Sequence, residues 1–300
     1  MLSVQTEERH DKAVGLDVAH PEAALRLLAS GQQAAAKAVD GAIESIAAAA
    51  EIAAGVLSSG GRLIYAGAGS SGLMAMADAL ELPGTYGIAH DKIVVLLAGG
   101  AASLTDLAGG YEDDIELARA DVAKANVGAG DCLVAISASG STPYALAALA
   151  EARARGARVV AMANNPGAAI FKGADVSILL QTPPEVVSGS TRMGAGTAQK
   201  IAFNMFSTLV GIRLGHVYDG HMVNLKADNA KLRGRAVRIV SDIAGIDATE
   251  AARHLDTASG SVKIAILLAA GADHVATAET TLAGAGQNLR QALESVRPKS

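Results

Sequence analysis

The sequence has 300 residues, enough for one large domain or for a main domain with a smaller one. Half of the residues are hydrophobic, but aromatic residues make up only 3% and tryptophan is absent. The formal net charge is −5, and lysine and arginine form no dense block. Recognition of single strands uses aromatic platforms and recognition of duplexes uses clustered cations, so a nucleic-acid partner is not expected.

Cysteine usage and hydropathy limit the class of protein further. The single cysteine, Cys132, lies within an apolar run and excludes an internal disulfide and a metal site built from several thiolates. The first residues are polar and lack the apolar region of a signal peptide. No apolar run approaches the ~20 residues of a membrane span. We therefore expect a soluble cytoplasmic protein without a membrane partner.

The first part of the chain is predicted to be helical. Residues 1–20 have mixed charge and no period, and we expect them to form an arm or loop. Pro21 then opens an alanine-rich pattern with apolar residues at helical spacing, which ends at Gly60 and Gly61. We predict two helices here, joined near Gly41.

Short apolar runs alternate with helical patterns over the next part of the chain. Five runs are predicted strands, at 63–66, 93–97, 133–136, 159–163 and 176–180. The helical patterns between them cover 73–80, 115–125, 143–155 and 168–172. Runs that are apolar on both faces are typical of parallel strands covered by helices. The predicted fold class is α/β, a three-layer α/β/α sandwich with a five-stranded parallel sheet, whose ligands bind at the carboxyl ends of the strands.

The remaining part of the chain is predicted to be entirely helical. One long helix is predicted over 191–214. Further helical segments follow, at 228–243, 248–254, 262–269 and 277–295, with glycines between several of them. We predict two domains: residues 1–235, with the N-terminal helices and the sheet, and residues 236–300, a small helical module.

The first predicted strand leads into a turn of glycine and serine, Gly67-Ala68-Gly69-Ser70-Ser71-Gly72. Its letters satisfy the dinucleotide pattern GxGxxG, which also requires an acidic residue at the end of the second strand, about 20 residues on. That strand ends in Leu-Ala-Gly-Gly, without an acid, so a nucleotide is disfavoured. Hydroxyls and backbone N–H groups at a helix N-terminus bind anions, so Gly69, Ser70 and Ser71 are candidate phosphate-binding residues.

A second serine-rich turn follows the third predicted strand. It reads Ser137-Ala138-Ser139-Gly140-Ser141-Thr142-Pro143, and its proline suits the first position of a helix. Ser141 or Thr142 could serve only as the helix N-cap. Two such turns at the carboxyl edge of one parallel sheet favour a phosphate site instead. The candidate binding residues of this turn are Ser137, Ser139, Gly140, Ser141 and Thr142.

The two turns together resemble the sugar isomerase (SIS) fold, whose members bind phosphosugars. Further segments are similar to those of N-acetylmuramic acid 6-phosphate etherases, over nearly the whole chain from Thr6 to about Ala269. These segments are 81–87, 110–114, 184–192, 196–200, 214–218 and 229–233. The resemblance implies that the end of the chain is a ubiquitin-associated-type helical module. It also implies a homodimer with sites near the subunit interface.

The resemblance implies a lyase reaction that removes D-lactate from the 3-position of a sugar phosphate and leaves N-acetylglucosamine 6-phosphate. It further implies that two carboxyls do this without a metal ion or cofactor. Their matches in this chain are Glu81 and Glu112.

The sequence positions of these two acids agree with such a division of labour. Glu81 lies at the end of a predicted apolar helix, just before Pro83, and faces the negative end of the helix dipole. If it is partly buried there, its pKa should be raised, which suits a proton donor. Glu112 precedes a predicted helix, whose positive end keeps a carboxylate ionised and suits a base. The simpler roles are a solvated helix end for Glu81 and a helix cap for Glu112.

Further polar residues are candidates with less specific signals. Glu185, at the end of the fifth predicted strand, either reaches the sugar hydroxyls or is an exposed loop acid. Arg192 begins a predicted helix and could meet phosphate or the lactyl carboxylate. The sequence leaves open whether Lys200, His216 or His221 reaches the site.

Two departures from the family pattern concern the expected anion site. Leu73 and Ser141 stand where the etherases carry arginine, so two charge-assisted contacts at the expected anion site are missing. The exact sugar phosphate is therefore open. The alternatives are an aldose–ketose isomerase and a non-catalytic phosphosugar sensor, and a sensor has no need of Glu81 and Glu112.

Overall fold

A five-stranded parallel sheet lies at the centre of the first of two compact units in the computed structural model, which describes residues 5–106, 109–225 and 230–296. The strands are β1 (Leu63–Gly67), β2 (Ile93–Leu97), β3 (Cys132–Ser137), β4 (Arg158–Ala163) and β5 (Val176–Leu179). Their order is β2-β1-β3-β4-β5. Each predicted strand is confirmed, with its ends shifted by at most a residue.

The strand order places a crevice between β1 and β3. β1 pairs with β2 on one side and with β3 on the other, and its last residue, Gly67, is in register with Leu97 and Ile136. The chain therefore leaves β1 toward one edge and later returns to the other side of β1. In open α/β sheets, ligands bind where the strand order reverses, outside the carboxyl ends of the strands. Both serine-bearing turns follow these two strands.

Helices cover both faces of this sheet. The helices up to residue 213 are α1 (Pro21–Lys37), α2 (Ile43–Ser58), α3 (Gly69–Tyr86), α4 (Ile115–Lys124), α5 (Pro143–Ala154) and α6 (Gly194–Arg213). α4 and α5 pack on one face, in a core that includes Ile64 and Leu133. Tyr65 points to the opposite face, where its ring centroid lies 5.5 Å from that of Phe203 in α6. The predicted three-layer architecture is confirmed.

The N-terminal segment contains more structure than a loop. A 3₁₀ turn, Ala38–Ala42, joins α1 to α2, as the pattern around Gly41 predicts. Three short 3₁₀ turns, Gln5–Glu7, Asp11–Ala13 and Leu16–Val18, stand where an arm or loop is predicted. Thr6 in the first of them is fully buried, so this segment is partly anchored to the core.

By length and composition, the helical stretch Pro21–Ser58 is apolar enough to cross a membrane, with a mean hydropathy of 1.4 over its best window. No such stretch is expected from the lengths of the apolar runs in the sequence. A core helix of a soluble protein passes the same test, so one such stretch is weak evidence of a span. The buried face of α2 includes Ile46, Ala49 and Ala53, and α2 contacts β1, β3 and β5. α2 is therefore a core helix of the sheet.

α3 extends further than the sequence predicts. The prediction ends it near Pro83, but the helix runs to Tyr86 with Pro83 inside it. The helix ends at Gly87, whose φ of +63° suits a glycine and whose N–H donates to the Pro83 carbonyl at 3.0 Å. Glu81 therefore lies 86 − 81 = 5 residues before the last helical residue. The expected position of Glu81 at the negative end of the helix is wrong.

The second compact unit contains Glu81–His90 and the described residues from Thr208 onward. It holds an antiparallel hairpin that the sequence analysis missed, formed by β6 (Val217–Tyr218) and β7 (His221–Met222). The described residues after the hairpin form α7 (Ala230–Ala244), α8 (Ala248–Thr257), α9 (Val262–Ala269), α10 (Val275–Gly284) and α11 (Leu289–Val296). The predicted boundary at 235/236 falls inside α7, so the compact units divide the chain elsewhere. The likeness to a ubiquitin-associated module stays a prediction.

Two predicted helices differ from the observed ones. The segment 168–172 forms only a 3₁₀ turn, Ala169–Phe171. The segment 277–295 is not one helix but two, α10 and α11, because Gly286 and Gln287 have φ values of +59° and +66° between them. Asn288 then starts α11, since its Oδ1 accepts from the N–H groups of the next turn at 3.0 and 3.2 Å.

Candidate functional site

The first turn packs too closely for side chains at its glycines. A Cβ on Gly67 would lie 2.9 Å from Ile136 Cγ2 and 3.0 Å from Gly72 Cα. Gly69 has a φ of +52° and is the first residue of α3. Ser71 is buried, while Ser70 is half-buried beside it. The turn therefore brings backbone N–H groups and a serine to the start of a helix, which favours an anion.

The second turn is organised around the hydroxyl of Ser137. Its Oγ accepts the Gly140 N–H at 3.0 Å, and it lies 2.7 Å from Thr142 Oγ1 and 3.2 Å from Ser139 Oγ. Ser141 donates its N–H and its hydroxyl to Ser139 Oγ, at 3.2 and 3.0 Å. The hydroxyls are thus held in one network before any ligand binds, which lowers the ordering cost of binding.

The hydroxyl of Thr142 does not cap α5. Thr142 is the N-cap residue of α5, yet its side chain makes no capping hydrogen bond. Pro143 occupies the first turn of the helix, as predicted. Gly140 has a φ of +72°, and a Cβ there would collide with Ala168. The backbone conformation at Gly140 therefore sets the shape of this turn. The Thr142 hydroxyl lies at the N-terminus of α5 but does not cap it.

Asparagines after β4 support this turn, and sequence reasoning missed them. Asn165 donates from Nδ2 to the Ala138 carbonyl at 3.0 Å and to Thr6 Oγ1 at 3.1 Å, and it accepts the Thr6 N–H at 3.2 Å. Asn164 donates its N–H to the same Ala138 carbonyl at 3.0 Å. Two consecutive amides directly after a buried strand were the available sequence signal. They tie the second turn to β4 and to the N-terminal segment.

Glu112 lies at the start of α3. It belongs to a 3₁₀ turn, Gly109–Asp113, that packs against α5, and it is half-buried. A Cβ on Gly69 would overlap the Glu112 Oε1 atom, so the carboxylate occupies the space that this glycine leaves open. The N-cap of α4 is Asp114, whose Oδ1 accepts the Leu117 N–H at 2.8 Å. Glu112 is therefore not the helix cap that the simpler interpretation assigns to it.

The surroundings of Glu112 shift its pKa upward. Burial is the main cause, and the charge of neighbouring Asp113 adds to it. The sequence analysis expects a positive helix end to keep this carboxylate ionised, so the expected direction of the influence is wrong. A higher pKa makes the ionised carboxylate a stronger base, which still suits proton abstraction.

Glu81 lies on α3, 81 − 69 = 12 residues after Gly69, and is exposed. At 1.5 Å per residue, this is about 18 Å along the helix from its first residue. Since Glu112 lies against that first residue, the helix does not bring both acids to its N-terminus.

Glu185 is buried beside the start of α6. It is only 5% exposed, so an exposed loop acid is wrong. Its two carboxylate oxygens accept the N–H groups of Gly194 and Ala195, at 2.9 and 2.8 Å, at the start of α6. Contact with sugar hydroxyls would have to use the lone pairs beside these two bonds. The role shown is that of a buried cap for α6.

The remaining candidates lie at different places. Arg192 is exposed just before α6 and makes no hydrogen bond or ion pair with the part of the chain that the structure describes. Lys200 is exposed on α6 and donates to Asn204 Oδ1. His216 and His221 belong to the second unit, beside and within its hairpin. Within the described ranges, no three His, Cys, Asp or Glu side chains are placed to hold a metal ion.

Comparison with known proteins gives the family. A model of the SIS domain matches residues 28–164. The N-acetylmuramic acid 6-phosphate etherase of Deinococcus radiodurans is 42% identical over 289 residues, which cover 96% of this chain and 95% of the relative. That of Symbiobacterium thermophilum is 45% identical over 262 residues, 87% of each chain. This chain belongs to the N-acetylmuramic acid 6-phosphate etherase family.

A solved structure supports the fold independently of the etherase family. A Bacteroides fragilis protein, assigned as a phosphosugar isomerase involved in capsule formation, aligns with 66% of this chain and 93% of its own. The TM-score is 0.50 and the identity is 21%, so the likeness shows the fold alone.

The two departures from the etherase pattern lie at the two turns. Leu73 is half-buried in the first turns of α3, and Ser141 is exposed at the tip of the serine network. Neither supplies the charge that the arginines of the family would bring. Arg192 is a cation of the candidate set that could offset this loss.

Proposed function

We propose that this protein is a carbon–oxygen lyase that cleaves the lactyl ether of N-acetylmuramic acid 6-phosphate. The observation that carries the proposal is the position of Glu112, whose carboxylate lies against the first residue of α3 where the strand order reverses. Its turn also packs on α5, the helix that begins at the serine network. A base in this position is adjacent to the start of α3, whose turn is suited to bind the 6-phosphate.

The proposed reaction uses Glu112 first. In the open-chain sugar, the C1 aldehyde acidifies the proton on C2, and Glu112 removes that proton. Because its pKa is raised, Glu112 accepts this proton more readily than an ordinary glutamate would. The electron pair left at C2 forms the C2–C3 double bond as the C3–O bond to lactate breaks.

The proposed role of Glu81 is to protonate the departing lactate oxygen. Water then adds to C3 of the unsaturated aldehyde, so the products are N-acetylglucosamine 6-phosphate and D-lactate. We propose that these carboxyls act without a metal ion or organic cofactor, and that the protein works in the cytoplasm without a membrane or nucleic-acid partner. The phosphate is assigned to Gly69, Ser70, Ser71 and the serine network, with Arg192 as an added cation.

The proposal includes a homodimer, because one α3 does not bring Glu81 to the position of Glu112. Glu81 is exposed, and the preceding Leu80 is an apolar side chain with 68% of its surface exposed. An exposed apolar residue next to an unburied acid suits a subunit contact. We propose that Glu81 of the partner subunit completes the site built around Glu112.

The reaction is tested in deuterated water with N-acetylmuramic acid 6-phosphate, by following lactate and the C2 proton with NMR. Release of lactate with deuterium at C2 is the expected result. Glu112→Gln should abolish deuterium exchange at C2 while leaving sugar-phosphate binding within about twofold, because the amide keeps the size but not the basicity. Exchange that persists in this variant would show that Glu112 is not the base.

An aldose–ketose isomerase is the second candidate, because that reaction needs the Glu112 base alone beside the phosphate site. The same NMR experiment separates the two, since an isomerase forms a ketose and releases no lactate. Binding of the sugar phosphate without any exchange or release would favour a phosphosugar sensor.

A further inference from the structure

The second compact unit contains a cleft between its hairpin and α7. The cleft has a volume of about 260 Å³, and its walls include His221 and Met222 of β7 and Arg235, Arg238 and Asp242 of α7. This hairpin and this helix both belong to the second unit, so the cleft does not involve the sheet. No role has yet been given to any of these side chains.

The hairpin wall of the cleft is held firmly. Asp219 and Gly220 form the two-residue turn with φ values of +43° and +80°, as a tight hairpin of this type requires. Arg290 of α11 bonds to Asp219 Oδ1 at 2.5 Å, and its guanidinium carbon lies 4.6 Å from the Tyr218 ring centre. The position of His221 is therefore set by a rigid turn and not by a free loop.

The helix wall carries two guanidinium groups that have no partner among the described residues. Arg235 and Arg238 are three residues apart on α7, so they lie on one face of the helix. Neither guanidinium group makes a hydrogen bond or ion pair with residues 5–106, 109–225 or 230–296. The neighbouring Arg233, by contrast, pairs with Asp256 at 2.5 Å. Two adjacent unpaired cations facing a cleft favour an anion between them.

The third feature of the cleft is an acid beyond the arginines. Asp242 follows Arg238 by four residues on α7 but is not within ion-pair distance of it. A carboxylate in that place can accept hydrogen bonds from hydroxyl groups, while the arginines take a phosphate. The volume is slightly below that of ordinary ligand pockets, about 300–1,000 Å³, and so suits a small molecule.

We propose that this cleft is a second binding site of the protein, for a small phosphomonoester that carries hydroxyl groups, such as a sugar 6-phosphate. The arginines bind the phosphate bidentately, and Asp242 and His221 contact the hydroxyl-bearing part. This site is independent of the serine turns and of the proposed lyase reaction. A nucleic acid fits poorly, because the whole chain has a net charge of −5 and few aromatic residues.

The test is a binding count on the full-length protein by equilibrium dialysis with N-acetylglucosamine 6-phosphate, which the proposed reaction does not consume. Two molecules per chain are expected for the wild type. The double variant R235Q/R238Q should bind one, with the lost site weakened about 100-fold because two charge-assisted contacts are removed. The variant S137A/T142A should lose the other molecule instead. Raising the salt concentration should weaken the arginine site, because its charges are open to solvent.

Matched controls make each outcome decisive. R253Q changes an arginine of the same unit that lies outside the cleft, on α8, and should still bind two molecules. If the double variant unfolds, the single variant R238K, which keeps the charge but not the planar fork, should weaken the site about tenfold. Wild-type binding that is unchanged in R235Q/R238Q overturns the proposal. A wild type that binds a single molecule, which is lost in S137A/T142A and kept in R235Q/R238Q, overturns it too.

Discussion

Gly69 and Glu112 show how a single missing side chain sets the chemistry of the candidate site. Gly69 leaves space at the first residue of α3, and the Glu112 carboxylate fills it. Because the carboxylate is then half-buried and next to Asp113, its pKa is raised. The nearby N-terminus of α3 would lower the pKa of Glu112, but this effect is smaller than that of burial. The basicity of Glu112 thus depends on a contact that is made 112 − 69 = 43 residues away in the sequence.

Gly69→Ala should lower kcat for lactate release about tenfold or more, because a misplaced catalytic group is costly. The added methyl group would displace Glu112, and the φ of +52° would strain a non-glycine residue by about 1 kcal/mol. Steady-state kinetics would measure the effect. Gly55→Ala is the matched control, since Gly55 lies in α2 with open space at its Cβ position, and it should leave kcat unchanged. An equal loss in both variants would rule out the contact as the cause.

At the scale of elements, one buried carboxylate joins α3, β1 and α6. Asp78 of α3 accepts hydrogen bonds from Tyr65 Oη at 2.9 Å, Ser207 Oγ at 2.8 Å and Asn204 Nδ2 at 3.1 Å. Burial, together with Asp78, raises the pKa of Tyr65 well above its usual value, so its hydroxyl stays a donor. The network fixes the face of the sheet opposite α4 and α5.

Asp78→Ala should lower the free energy of unfolding by about 3–5 kcal/mol, because two buried donors and one half-buried donor lose their acceptor. Urea denaturation would measure the change. Tyr65→Phe removes only one donor and leaves Asp78 with its other bonds, so its cost should be about 1 kcal/mol. A loss in Asp78→Ala no larger than that in Tyr65→Phe would contradict the role of the carboxylate as the common acceptor.

The second unit contains a buried histidine beside a buried lysine. His216 Nδ1 is buried without a hydrogen-bond partner among the described residues. Burial and the charge of Lys263 lower the pKa of His216 to about 4. Lys263 donates to the Gln287 carbonyl at 2.9 Å, and burial lowers its own pKa to about 8. Protonation of His216 therefore opposes folding of this unit.

The free energy of unfolding should rise with pH between about 4 and 6.5, the folded and ordinary pKa values of His216. Within this window the unfolded chain binds the extra proton, so the native state gains on the order of 2–3 kcal/mol as that proton is lost. Urea denaturation at pH 5 and pH 7.5 would measure the slope, and His216→Gln should reduce it. His90→Gln, at an exposed histidine, should retain it. An unchanged slope in His216→Gln would contradict the assignment.

At the scale of the whole molecule, the proposed reaction depends on association of two chains. One α3 separates Glu81 from the start of the helix by about 18 Å, at 1.5 Å per residue. An acid and a base that act on neighbouring atoms of one sugar must each lie within hydrogen-bond reach of it, so their carboxyls have to come closer than this helical separation. A symmetric pair of subunits would supply each site with one acid from either chain.

Mixing Glu81→Gln with Glu112→Gln tests this arrangement. Each variant alone should be inactive, but random exchange makes half of the dimers mixed, and each mixed dimer has one intact site. The mixture should therefore recover about a quarter of the wild-type rate of lactate release. The control is a mixture of the double variant, E81Q/E112Q, with either single variant, which should recover nothing. Sedimentation would establish that the variants associate; no recovery from associated chains would place both acids in one subunit.

The sequence by itself determined the parallel sheet, the helices around it and the two serine turns. Runs that are apolar on both faces can be buried only between helices, and glycine with serine at strand ends leaves few alternatives to a ligand-binding turn. Its family motifs also led to the prediction that Glu81 and Glu112 are the catalytic acids, which stays a prediction.

Only the tertiary structure decided what surrounds these residues. In the structure α3 continues past Pro83, Glu185 accepts a hydrogen bond at the start of α6, and the last predicted helix is interrupted at Gln287. The tertiary structure also placed Glu112 against Gly69 and kept Glu81 far along α3. Periodicity reports which face of an element is buried, because that depends on local spacing. The pKa and reach of a carboxyl depend on atoms from distant parts of the chain, which local spacing does not encode.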